Sequence, residues 1–109
     1  MPTALKVLGQ VVPSAASLTT LYTVPALTTT ICSSLVVSNS SAIPTSFRVA
    51  VRPAGASIDP KHYIYYDVPI AGNDTFVATI GISLDTTDVI SVYATLATLS
   101  FNLFGQQNT

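Results

Sequence analysis

Apolar residues along this chain recur at every second position rather than every third or fourth. The clearest run spans residues 46–52, where Phe47, Val49 and Val51 alternate with Ser46, Arg48, Ala50 and Arg52. That is the period of a strand with one face in a core and the other at water or an interface. Residues 30–39 set Ile31, Ser33, Leu35 and Val37 against Cys32, Ser34, Val36 and Ser38. Near the C-terminus, Leu99, Phe101 and Leu103 share one face, and Ser100, Asn102 and Phe104 the other. Further strands are predicted over residues 5–12, 17–24, 62–67, 75–82 and 89–94. Between them lie turn signals: Pro13, Pro25, Pro53-Ala54-Gly55, Asp59-Pro60, Ala71-Gly72-Asn73-Asp74 and Asp85-Thr86-Thr87-Asp88. β-Branched residues dominate and Glu is absent, which disfavours helix.

The expected fold is all-β: an antiparallel β-sandwich of about eight strands, Ig-like or jelly-roll-like, with a closed barrel as the alternative. Short loops imply that successive strands pair antiparallel. Residues 1–109 form a single domain, ending in a short polar tail, 105–109, after Gly105 releases the chain.

Composition changes what such a domain is for. Half of the residues are hydrophobic (49%) and only 8% are charged, against a usual charged share of about 25%. The polar surface must come from 12 Ser and 15 Thr. Neutral hydroxyl surfaces lose far less than charged ones when they leave water, so they suit lasting contact with other subunits. A homo-oligomer is expected. The net charge of −1 argues against nucleic acid, which demands a basic face. Arg48 and Arg52, on one strand, make no basic stripe. No run nears the roughly 18 apolar residues of a membrane-spanning helix. Met1-Pro2-Thr3-Ala4-Leu5-Lys6 lacks the charge and apolar run of a signal peptide. The sequons at Asn39 and Asn73 are therefore read as coincidence in a hydroxyl-rich chain.

Catalytic equipment is not expected. His62 is the one His and no Gly-x-Ser-x-Gly turn accompanies it. One His and one Cys fall short of a zinc site, and Cys32 reads as a small core residue. Asp74, Asp85 and Asp88 read as turn-closing residues rather than calcium ligands. No catalytic, metal or cofactor site is assigned. The densest feature is aromatic: His62-Tyr63-Ile64-Tyr65-Tyr66-Asp67. Strict alternation puts Tyr63 and Tyr65 on one face, Ile64 and Tyr66 on the other. Tyr63 and Tyr65 are taken as candidate interface residues, with glycan binding a further use of such rings. Phe104, on the polar face of its strand, is the third candidate interface residue.

Several segments are familiar in wording and order. Leu21-Tyr22-Thr23-Val24-Pro25-Ala26, Leu35-Val36-Val37-Ser38-Asn39 and the 47–56 run Phe-Arg-Val-Ala-Val-Arg-Pro-Ala-Gly-Ala are followed by His62-Tyr63-Ile64-Tyr65-Tyr66-Asp67. Pro69-Ile70-Ala71-Gly72-Asn73-Asp74-Thr75 and Asp88-Val89-Ile90-Ser91-Val92-Tyr93-Ala94 continue the series. Over nearly its whole length the chain resembles small virion structural proteins of tailed bacteriophages. The resemblance implies a non-enzymatic, virion-located protein: a capsid decoration or cement-type subunit in many copies, or a tail, neck or baseplate module that aids host recognition. The implied partners are further copies of itself and other virion proteins, such as a major capsid or tail protein.

Overall fold

A computed structural model describes residues 3–109. Eight strands follow one another: β1 (Thr3–Val11), β2 (Thr19–Thr23), β3 (Thr29–Asn39), β4 (Thr45–Arg52), β5 (Tyr63–Ile70), β6 (Thr75–Leu84), β7 (Val89–Ala94) and β8 (Leu99–Asn108). They form two four-stranded sheets, β1-β8-β3-β6 and β2-β7-β4-β5, with every pairing antiparallel. No helix among the described residues is long and apolar enough to cross a membrane.

The pairings β1·β8, β2·β7, β3·β6 and β4·β5 describe one long hairpin with its tip at β4–β5. Its arms are wound so that alternate pairs fall in opposite sheets, which is the jelly-roll arrangement. The Ig-like alternative needs several consecutive strands side by side, and here only β4 and β5 are. The expected pairing of successive strands is thus corrected. A short loop spans the roughly 10 Å between sheets almost as readily as the roughly 5 Å between neighbours, so loop length could not tell the two apart.

The inner faces close on one core. Phe47 and Val49 of β4 and Ile90, Val92 and Ala94 of β7 meet Leu35 and Val37 of β3 and Leu99, Phe101 and Leu103 of β8, all buried. The Phe47 ring lies 5.9 Å from that of Phe101 and 5.2 Å from that of Phe76, joining the sheets. Burying each such side chain contributes about 1.5–3 kcal/mol. Of the face expected to be buried on β4, Phe47 and Val49 are in the core and Val51 is partly buried against it, while Ala50 on the other side is also buried; Leu99, Phe101 and Leu103 are buried as expected. Cys32 is fully buried, and burial pushes its thiol up to about 11, which keeps it from acting as a thiolate nucleophile.

A line of bulges crosses the β1-β8-β3-β6 sheet. Opposite the uninterrupted β8, an extra residue enters β1 at Leu8 and β3 at Ser33. A further one enters β6 beside Gly81, whose φ is +54°. The bulge at Ser33 breaks the alternation expected of residues 30–39: Cys32 now shares the inner face with Leu35 and Val37. The C-terminal tail is also corrected, because β8 runs on to Asn108 between β1 and β3. Gly105 does not release the chain. A Cβ there would overlap the Ile31 carbonyl oxygen and Leu8, so glycine is what lets three strands stay in register.

One end of the sandwich is clamped by Asn39. Its buried amide donates to the carbonyls of Ile43 (2.9 Å) and Ala71 (3.2 Å), and its oxygen accepts from the Ser41 N–H (3.1 Å). The β3–β4 loop is thereby tied to the β5–β6 turn, and this sequon's nitrogen is already committed. Asn39→Leu keeps the volume but strands two carbonyls. It is expected to lower the unfolding free energy in urea by about 2–4 kcal/mol. A change below about 0.5 kcal/mol would show that the clamp contributes nothing.

Candidate functional site

The aromatic segment does not alternate as its sequence predicts. Phe47 pairs with Val68, Val49 with Tyr65 and Ala50 with Tyr63, so β5 takes in one extra residue at each of two steps. Asp67, at φ +50°, is the pivot of the first. Asp tolerates this left-handed region better than most residues, but it remains an uncommon backbone state for a side chain. Tyr63 and Tyr66 consequently share the outer face. Tyr65 turns inward, half-buried, with its ring 5.5 Å from Phe76 and 6.4 Å from Phe47. The expected pairing of Tyr63 with Tyr65 on one face is therefore corrected to Tyr63 with Tyr66; Tyr65 belongs to the core margin.

Arg48 stands at the centre of this outer face, opposite Tyr93 of β7. Its guanidinium carbon lies 4.2 Å from the centre of the Tyr66 ring and 4.4 Å from that of Tyr93, with Tyr63 at 6.0 Å. Arg48 Nε donates to Asp67 Oδ1 at 2.7 Å and Nη2 to Oδ2 at 3.4 Å. The Asp67 hydrogen bond holds the guanidinium still further above its ordinary range. Both partners are partly open to water, so the ion pair itself stabilises by only about 0.2–1 kcal/mol. What it provides is position: the cation is fixed between two rings, each contact being worth about 0.5–1 kcal/mol at such a site. Tyr63 and Tyr66 meet edge to face, 5.0 Å apart at 83°, and with Pro60 they line a shallow depression of about 380 Å³.

Other candidate groups are committed to structure. His62 Nδ1 accepts from the Asp59 N–H while the Asp59 carboxylate accepts from the Lys61 N–H, capping a short turn at Pro60–His62. Asp88 closes the β6–β7 turn by accepting from the Asp85 N–H and also accepts from the Ala54 N–H, while Asp85 and Asp74 accept from the next residue's N–H, those of Thr86 and Thr75. Arg52 donates to the Gly55 and Ala56 carbonyls and to Ser91 Oγ. Among the described residues no three His, Cys, Asp or Glu side chains gather to hold a metal ion. What the outer face of β5 and β4 presents is aromatic rings around a neutralised ion pair.

The opposite outer face, that of β1-β8-β3-β6, has a different character. Register places Leu5 and Val7 of β1, Asn102, Phe104 and Gln106 of β8, Ile31, Ser34 and Val36 of β3, and Val77 and Thr79 of β6 on it. Not one is charged. Leu5 is 80% and Val77 64% exposed. Phe104 lies half-buried between Val7 and Ser34, on the outward face expected for it. Lys6, the one charged residue of these strands, pairs with Gly105 on the inward side and donates to Gln107 Oε1 at 3.2 Å.

Sequence reasoning did not single out Arg48, Tyr66 and Tyr93 as a group. The signal lay in Tyr65, Val68 and Ile70, whose spacing of three and then two marks a bulge in a strand with a single core face. No protein-family model matches the chain, and no curated protein matches it.

Proposed function

We propose that this protein is a non-enzymatic structural component of a tailed-phage virion, a decoration or cement-type subunit assembled in multiple copies against itself and a major capsid or tail protein. The observation that carries this reading is the uncharged outer face of β1-β8-β3-β6, where aliphatic side chains stand among Ser, Thr, Asn and Gln. A single soluble domain normally scatters charge over such a face. One without charge can be covered without burying an ion, and it favours lasting contact over exchange. Four strands about 4.8 Å apart and about 30 Å long offer roughly 600 Å² of projected surface, the same order as the roughly 800 Å² per partner of a stable interface. The resemblance in wording to phage virion proteins supports the setting. The jelly roll, a frequent capsid architecture, agrees with it by analogy of fold only.

A second reading, a tail, neck or baseplate module that helps recognise the host, is favoured by the Arg48 cluster of tyrosines. Quantitative mass spectrometry of purified particles separates the two. A copy number near that of the capsomers is the expected result. A small number matching a neck or tail symmetry supports the second reading, and absence from the particle overturns both.

A further inference from the structure

We propose that the corner formed by Tyr63, Tyr66 and the Arg48–Asp67 pair is a binding site for a neutral pyranose, a function distinct from the assembly reading above. An unbulged β5 would separate Tyr63 from Tyr66; two bulges in one edge strand, with Asp67 at φ +50°, bring them together. The paired register of β4 and β5 holds Asp67 in this state. Its product is an L-shaped aromatic corner, one ring a floor and the other a wall at 83°, beside a depression large enough for one sugar ring. Tyr66 is 58% exposed, so the core does not explain this placement.

Charge then selects the ligand. A cation would seek the space between Tyr66 and Tyr93, but Arg48 already fills it. An anion would seek Arg48, but Asp67 already neutralises it. What remains on offer is a carboxylate acceptor and guanidinium donors side by side, together with phenolic hydroxyls. Neighbouring hydroxyls of a neutral sugar satisfy acceptor and donor together, while its C–H face, polarised by the ring oxygens, lies against the electron-rich face of a tyrosine. Sites of this make-up, apolar walls with a few fixed polar groups, are what small-molecule recognition uses.

Saturation-transfer NMR tests the proposal on the full-length protein in whatever oligomeric state it holds, independently of its place on any particle. The probes are D-glucose, D-galactose, N-acetyl-D-glucosamine and L-rhamnose, each alone, with D-glucuronate as the anion of the same ring size. At least one neutral sugar should receive saturation on its C–H protons, and more strongly than glucuronate. Tyr66→Ala should abolish the transfer, and Asp67→Asn, which tolerates the same backbone state, should weaken it about tenfold. Unchanged circular dichroism confirms that each variant folds. Transfer to none of the neutral sugars, transfer that survives Tyr66→Ala, or stronger transfer to glucuronate would each overturn the site. Loss of self-association in Tyr66→Ala without any sugar signal would assign the corner to a protein partner instead.

Discussion

Val49→Asp will leave the chain unfolded. Val49 is 1% exposed, in the strand that carries Phe47, and it faces Val92 across the register. A carboxyl group placed there has no partner to pair with. Whether ionised or neutralised it costs several kcal/mol, a large share of the roughly 5–15 kcal/mol that holds a domain together. Ser46→Asp is the control. Ser46 lies half-buried on the outer side of the same strand, near its start, bonded to Thr95 Oγ1 at 2.8 Å. Its replacement should leave the far-ultraviolet β-sheet signal and cooperative melting intact. Equal folding of the two variants would contradict the assignment of faces on β4.

Where a strand keeps strict alternation, the sequence is enough to say which side is buried: β4 and the first half of β8 are cases in point. β7 keeps its predicted bounds but is buried along almost its whole length. The misreadings fall at bulges. One extra residue inverts every side chain beyond it, and so Cys32 joins the face of Leu35 and Tyr66 joins that of Tyr63. Topology was illegible for another reason. Which strand neighbours which depends on how the long hairpin winds, and connections of similar length serve either route. Gly105 illustrates the same limit. Its neighbours Phe104 and Gln106 say nothing of the Ile31 carbonyl packed against it, so a required close approach looked like the start of a loose tail.

The second large effect is expected on assembly rather than folding. Val77→Asp places one carboxylate on the uncharged outer face of β1-β8-β3-β6, beside Val36 on the neighbouring strand. The exposed position leaves the subunit's own stability within about 0.5 kcal/mol. In a contact between copies, the same carboxylate must leave water without a partner. That costs about 3 kcal/mol or more, weakening association at least about a hundredfold. Phe104→Ser should act in the same direction by removing an aromatic ring from the middle of the face. A thermal melt together with size-exclusion chromatography distinguishes the two roles. A large fall in the melting temperature, with elution unchanged, would mean that these side chains serve the fold and not the interface.

Sedimentation equilibrium of the wild-type protein, from micromolar to several hundred micromolar, addresses the central claim that this face is a surface for lasting protein contact. The account predicts a defined multiple of 11.4 kDa whose stability barely changes with salt, because no charge pairs hold it. Val77→Asp should bring it back towards the monomer. A wild-type chain that stays at 11.4 kDa throughout, indistinguishable from Val77→Asp, would contradict it.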